Sequence, residues 1–262
     1  METAIPKDWT DWIQENVDRG VDLNELFGIL LQHRFDYRDV FAAMERCVAR
    51  RAAAAGNPPP PARRLDLPQA QRVETGLAEL FVWDGFLAPA ECARVVELVK
   101  SRLRPSTITT RDEPDKSFRT SRTCDLGILD DPLMAGIDAR ICGSLGLDPA
   151  YGEITQGQYY EVGQQFKAHT DYFTGDALRE FGGERGQRTF TFMVYLNDTE
   201  AGGETEFTEL GRRFAPRTGR ALVWNNLDAG GRPNPMTKHQ AHPVERGDKA
   251  VITKWFRERP GR

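Results

Sequence analysis

The sequence predicts an α+β protein whose larger part is mainly β, a sandwich or jelly roll with supporting helices, preceded by a helical subdomain. Three observations carry this reading. Apolar residues recur at helical spacing through residues 8–55. A tetraproline, Pro58 to Pro61, then interrupts the chain. From Ile154 onward the sequence breaks into short β-rich runs separated by Gly, Asn, Asp and Pro, the pattern of a layered all-β core.

The elements follow in order. Trp9, Trp12, Ile13 and Val17, then Leu23, Leu26, Phe27, Ile29, Leu30 and Leu31, then Val40, Phe41, Met44 and Val48 mark two or three short helices. Asp22 with Glu25 has the spacing of a capping box for the second. These observations define a helical subdomain over 1–56, a Pro-rich extended linker over 57–78 and a main domain over 79–262. In the main domain Leu80–Trp83 reads as a strand. Pro89–Leu103 reads as an amphipathic helix with proline in its first turn, and Asp131–Leu145 as another helix. The β-rich runs are 154–160, 188–196, 204–208, 220–225, 237–244 and 249–256. No internal repeat is visible.

Bulk properties narrow the function. A chain of 262 residues accommodates one large domain with an appendage, or two small ones. The net charge of −4 and a pI near 5.7 provide no basic field for phosphate backbones, so nucleic acid is not expected as the main partner. Cys47, Cys92, Cys124 and Cys142 form no C-x-x-C pair, which points to reduced thiols rather than a zinc knuckle or a disulfide framework. The N-terminus lacks a basic-then-apolar signal, and no apolar run approaches the roughly 20 residues that span a bilayer. The expected compartment is therefore the cytoplasm, with no membrane partner.

The chemistry centres on FKAHTDYF, residues 166–173. On a strand, residues i and i+2 share a face, so His169 and Asp171 aim at one point while Thr170 aims away. Of the other histidines, His33 lies among the helices, leaving His239 and His242 as candidate third ligands. Two imidazoles and a carboxylate suit non-haem Fe(II) with open positions. Zinc with a bound water satisfies the same donors.

The ordered blocks QGQYYEVGQQFKAHTDYF, GQRTFTFMVYLND, GGETEF, GRALVWNNL and HQAHPVERGDKAVITKWF resemble the Fe(II)/2-oxoglutarate-dependent dioxygenases, in particular the prolyl 4-hydroxylase-like branch. The resemblance covers about residues 80–258 and implies a double-stranded β-helix, the jelly roll. It assigns His169, Asp171 and His239 to the metal and to catalysis, and makes His242 a neighbour rather than a ligand. It places Tyr160, Thr205 and Lys249 on the distal carboxylate of 2-oxoglutarate, with Lys254 as a rival lysine on the same strand. Arg119, Ser121, Phe166, Arg188 and Trp255 fall on the substrate side, with Arg122 nearby.

The implied cofactors are Fe(II), 2-oxoglutarate and O2, with ascorbate as reductant. The implied reaction hydroxylates an unactivated C–H of a proline-like residue, in a peptide or protein or as a free cyclic amino acid, with release of succinate and CO2. Retention of Asp171 points to hydroxylation rather than halogenation. Two departures from the family pattern, Phe166 in place of a tyrosine and Arg257 in place of a histidine, suggest an arginine-rich pocket suited to a free carboxylate.

A non-catalytic jelly-roll binding protein and a zinc hydrolase are the competing classes; neither has a use for Lys249. Stretches 174–187 and 226–237 read as lids or as surface connections. Residues 1–56 lie outside the resemblance. Formation of a homodimer, cover for the barrel and partner recognition are the roles open to them.

Overall fold

A computed structural model of the protein describes residues 5–19, 64–106, 117–126, 131–174, 177–229 and 231–261, together with residues 21, 26, 29, 30, 32–35, 39, 40, 43, 44, 46, 47 and 50. Its helices form where the termini are chemically satisfied. Helix α1 (Lys7–Arg19) buries Ile13 and Val17 on one face. Helix α2 (Pro89–Lys100) starts with proline at a position where the missing N–H costs nothing, and the Glu91 carboxylate accepts from the Ala88 N–H at 2.8 Å. Helix α3 (Pro132–Leu145) is capped by the Asp131 carboxylate, which accepts from the N–H groups of Leu133 and Met134 at 2.9 and 3.2 Å. It ends at Gly146, whose φ of 63° favours glycine.

The strands are β1 (Gln71–Arg72), β2 (Leu80–Trp83), β3 (Arg104–Pro105), β4 (Arg122–Asp125), β5 (Gln156–Tyr160), β6 (Phe166–His169), β7 (Arg188–Tyr195), β8 (Ala201–Gly202), β9 (Thr205–Phe207), β10 (Arg212–Phe214), β11 (Ala221–Asn225), β12 (His239–Ala241), β13 (Val244–Arg246) and β14 (Lys249–Arg257). They form an eight-stranded sheet in the order β1-β2-β11-β7-β14-β5-β4-β3, a four-stranded sheet β10-β9-β12-β6 and a two-stranded pair β13-β8. This is the mainly β jelly-roll core that the sequence predicts, and the expected strands fall within a residue or two of their runs, except that the run 237–244 divides into β12 and the start of β13.

Alternation along the central strands divides the interior into two layers. Phe190, Phe192 and Val194 of β7 and Ala250, Ile252 and Phe256 of β14 join the apolar cluster that also holds Val95 of α2 and Ile137 of α3. Met193, Tyr195 and Val251, on the opposite face, join Phe207 of the smaller sheet and Trp224 in a second cluster. Each large side chain so buried stabilises the fold by about 1.5–3 kcal/mol. The same period of two places Thr191, Lys249, Thr253 and Trp255 on the inner face, between the sheets.

A third apolar cluster unites Ile13 and Val17 of α1 with Leu26, Leu30, Val40, Ala43, Met44 and Cys47, and Ile154 packs at its edge. The Asp22–Glu25 pair and residues 57–63 of the expected linker lie outside the described residues. The remainder of that linker is not extended and free. Leu65 and Leu67 are buried in the helix-side cluster, and β1 pairs with β2. All four cysteines are buried free thiols, and no described helix is long and apolar enough to cross a membrane.

Lys254 faces the helices rather than the inner layer. Its fully buried ammonium donates to Asp138 on α3 at 2.6 Å and to the Glu153 carbonyl at 3.0 Å. Breaking a buried pair strands a charge, whereas removing that charge does not. Asp138→Leu should therefore lower unfolding free energy by about 3–5 kcal/mol and Lys254→Met by distinctly less, as read from urea midpoints. Equal losses would contradict this account of the pair.

Candidate metal centre

The antiparallel register of β6 with β12 sets His169 directly opposite His239. Residues opposite each other in such a pair project from one face, and the two imidazole centroids lie 4.4 Å apart. Asp171 is not on the strand, as the i, i+2 argument supposed. It sits in a bend beyond the end of β6. What aims it is the facing sheet: the Thr191 hydroxyl of β7 donates to Asp171 Oδ2 at 2.7 Å. Ligand atoms of His169, Asp171 and His239 lie within 4.8 Å of one another, the one such cluster among the described residues.

Each imidazole is oriented from behind. Nδ1 of His169 lies 2.8 Å from the Lys167 carbonyl, and Nδ1 of His239 lies 2.9 Å from the Thr237 carbonyl. A carbonyl only accepts, so Nδ1 carries the proton and Nε2 presents a lone pair, the tautomer a metal needs. Burial, reinforced by neighbouring His239, pushes the His169 pKa down to about 3, so the ring is neutral at physiological pH. Burial alone would raise the Asp171 carboxyl. His239, His169, Arg188 and the Thr191 hydroxyl outweigh it and hold Asp171 below the usual carboxylate range. A neutral His169 and an ionised Asp171 are ready ligands for a divalent metal.

Three rings and a cation brace this set. Phe166 stacks on His169 with centroids 3.5 Å apart and planes 13° from parallel, and the Arg119 guanidinium lies 4.6 Å from the Phe166 ring centre. Phe207 and Trp224 pack against His239 at 5.5 and 4.9 Å. Phe166 thus supports the ligand ring. Beyond Asp171, the Gln187 side chain accepts from Phe173 N–H at 2.7 Å and donates to Phe173 C=O at 2.8 Å, fixing the chain as it leaves the bend.

In the same layer between the sheets lies a dry cationic recess. Lys249 is 1% exposed, opposite Tyr160 in the β14–β5 register, with its ammonium 5.1 Å from the Tyr160 ring centre. No described carboxylate forms an ion pair with it, and burial lowers its pKa to about 7. Thr205 Oγ1 is buried and has no hydrogen-bond partner among the described residues. A buried ammonium beside an unsatisfied hydroxyl fits an anionic ligand, because such groups are costly without one. Tyr160 lines this recess with its ring, while its hydroxyl donates to Gln158 Oε1 at 3.0 Å. Lys254, held by Asp138, is not part of the recess.

On the substrate side the arginines are committed. Glu153 accepts from Arg188 Nε and Nη2 at 2.7 and 2.6 Å and from Arg257 Nη1 at 3.0 Å. Arg257 also donates to the carbonyls of Phe181, Gly182 and Gly186. The sequence-based expectation of an open arginine pocket for a free carboxylate is corrected: a carboxylate of the protein already occupies it. Arg188 lies 4.2 Å over the Trp255 ring, and Trp255 Nε1 is buried with no described partner. Arg119 donates to Gln156 Oε1 at 3.0 Å, and the Ser121 hydroxyl lies 2.9 Å from that of Ser106. Arg122 stands opposite Tyr159, on the helix side of the sheet, away from these groups.

His242 is turned to the outside of the smaller sheet, with Nε2 2.6 Å from Glu206 Oε2. It lies outside the His169–Asp171–His239 cluster. The stretch 174–187 is tied down in its second half, where Arg257 holds the carbonyls above and Arg185 donates to those of Tyr151 and Gly152 at 3.1 and 3.0 Å. Thr191, Gln187 and Glu153 were not singled out in the sequence. Only Thr191 left a signal there, as one of two threonines, Thr189 and Thr191, at alternate positions of β7.

Comparison with known proteins adds an independent line. The profile described as the 2OG-Fe(II) oxygenase superfamily matches residues 155–257. Human "Prolyl 4-hydroxylase subunit alpha-1" is 35% identical over 198 residues, 73% of this chain and 37% of that protein. The Arabidopsis thaliana protein named "Probable prolyl 4-hydroxylase 6" is 30% identical over 201 residues, 68% of this chain and 69% of that protein. This chain thus spans little more than a third of the alpha-1 subunits it matches. Among solved structures, the 2OG complex of a viral collagen prolyl hydroxylase from Paramecium Bursaria Chlorella virus-1 aligns with a TM-score of 0.55 at 24% identity, covering 68% of this chain and 95% of that one. That likeness supports the fold.

The geometry separates the two downstream histidines experimentally. In Mn(II) titrations followed by electron paramagnetic resonance, His239→Ala should abolish tight binding and His242→Ala should leave it unchanged. The reverse result would reassign the third ligand.

Proposed function

Because the chain belongs to the 2OG-Fe(II) oxygenase superfamily, in its prolyl 4-hydroxylase-like branch, we propose that it is a 2-oxoglutarate-dependent hydroxylase acting on a proline residue within a peptide or protein. The observation that carries this reading is that the His169–Asp171–His239 set and Lys249, buried without an ion pair to any described carboxylate, face the same layer between the sheets, His239 packing on Phe207 and Trp224 and Lys249 on Tyr160 and Tyr195. A zinc hydrolase or a bare binding module has no use for that pairing.

His169, Asp171 and His239 would hold Fe(II). Lys249 and Thr205 would hold the distal carboxylate of 2-oxoglutarate by charge-assisted hydrogen bonds, with the Tyr160 ring as one wall. Together, Fe(II), 2-oxoglutarate and O2 supply the oxidising power that places one oxygen atom on the substrate carbon and the other in succinate, with loss of CO2. The protein contributes position and dryness. The stacked Phe166, the Phe207 and Trp224 rings and the apolar layer around them keep water from the ligand set. Trp255 Nε1 is a donor suited to the carbonyl of a bound peptide.

The state of the arginines favours a neutral peptide over a free amino acid. To bind in this pocket, a free carboxylate would have to displace Glu153 from a bidentate Arg188 contact and from Arg257. In the same reading residues 1–56 form a helical subdomain against one end of the core, supported by Ile154 at the edge of its apolar cluster.

Two measurements test the proposal. With Fe(II), 2-oxoglutarate and ascorbate, proline-containing peptides should gain the mass of one oxygen atom in step with succinate release, and free L-proline should not. Product from free L-proline alone would move the assignment to an amino-acid hydroxylase. Binding of 2-oxoglutarate should also depend on pH. Lys249, with a pKa near 7, must be protonated to attract the carboxylate, so affinity should fall as pH rises through about 7, with net proton uptake in calorimetry. Affinity that is flat across this range would remove Lys249 from the carboxylate site.

A further inference from the structure

The metal carboxylate stands at the end of a hydrogen-bond chain whose direction is fixed throughout. The register of β11 with β7 sets Trp224 opposite Thr191. Trp224 Nε1 donates to Asn226 Oδ1 at 2.9 Å, Asn226 Nδ2 donates to Thr191 Oγ1 at 2.9 Å, and Thr191 Oγ1 donates to Asp171 Oδ2 at 2.7 Å. An indole N–H only donates, so the Asn226 amide oxygen must face it and the amide nitrogen must face Thr191. The hydroxyl of Thr191, accepting from that nitrogen, is left with its proton pointing at Asp171. All four residues are buried, Thr191 and Asn226 completely, so water does not substitute for a missing partner.

We infer that Asn226 and Thr191 are positioning residues for the metal. By occupying Oδ2, the chain leaves Oδ1, the oxygen nearer His169 Nε2 at 3.9 Å, as the single coordinating atom. The inference rests on the metal-site reading above and deepens it. The indole that starts the chain also packs edge-on against His239 at 4.9 Å. Trp224, on the larger sheet, thereby references His239 of the smaller sheet and Asp171 in the bend beyond it to one rigid side chain. Supporting contacts of this kind commonly change metal affinity by about 10–100-fold when broken.

The chain has a direction, and an isosteric change tests it. Asn226→Asp keeps the shape and the acceptor for Trp224 but removes the donor to Thr191, so the threonine proton turns towards residue 226 and Oδ2 of Asp171 is released. Thr191→Val removes the donor outright, and Thr191→Ser keeps it. Mn(II) affinity would be measured by electron paramagnetic resonance, the Co(II)-substituted proteins by their ligand-field absorption, and folding by thermal melting of the apoproteins.

Wild type and Thr191→Ser should bind Mn(II) alike. Thr191→Val and a folded Asn226→Asp should bind about 10–100-fold more weakly, with a shifted Co(II) spectrum. If Asn226→Asp does not fold, the Val and Ser pair decides. Wild-type affinity and an unchanged Co(II) spectrum in Thr191→Val would overturn the inference, as would a Thr191→Ser protein no better than Thr191→Val. Failure of wild type itself to bind Mn(II) would instead overturn the metal site, and the inference with it.

Discussion

The antiparallel register that sets His169 of β6 against His239 of β12 is the constraint on which the rest of the site depends. It converts a separation of seventy residues into facing imidazoles. A slip of one residue on either strand would turn one ring to the outside of the sheet, where His242 already is. The apolar layer between the sheets holds that register, and it also brings β7 close enough for Thr191 to aim the acid that lies past the end of the strand.

Burial then decides the chemistry. A dry pocket penalises every charge that lacks a partner, and the charges here are sorted accordingly. Lys254, Arg188 and Arg257 meet carboxylates of the protein itself. Lys249 meets none among the described residues, and burial pulls its pKa down towards neutrality. Two lysines five residues apart on one strand thus serve different ends because they point to opposite faces of the sheet. Lys254 braces helix α3, and Lys249 is the lysine proposed for the 2-oxoglutarate carboxylate.

Much of this was legible in the sequence because it follows from periodicity. The main strands of the core and the helix starts at Pro89 and Asp131 follow from spacing and end chemistry. The metal set was legible only once several ordered blocks were read together, since a histidine and an aspartate two positions apart are common. The supporting polar residues were not legible. Glu153, Gln187 and Asn226 each depend on a partner between 14 and 104 positions away, and nothing local distinguishes them from surface polar residues. Arg257 misled for the same reason: its type suggested a ligand for a carboxylate, and its partner proved to be internal.

The central claim is that one metal and one 2-oxoglutarate meet between His169, Asp171, His239 and Lys249. Anaerobic titration of the protein with Fe(II) and 2-oxoglutarate, followed by visible absorption, tests it most directly, because a 2-oxo acid chelated to ferrous iron gives a charge-transfer band that neither component gives alone. The account predicts a band that saturates at one equivalent of each and is lost in His169→Ala. Absence of the band in the wild-type protein with both components present, or its persistence in that variant, would contradict it.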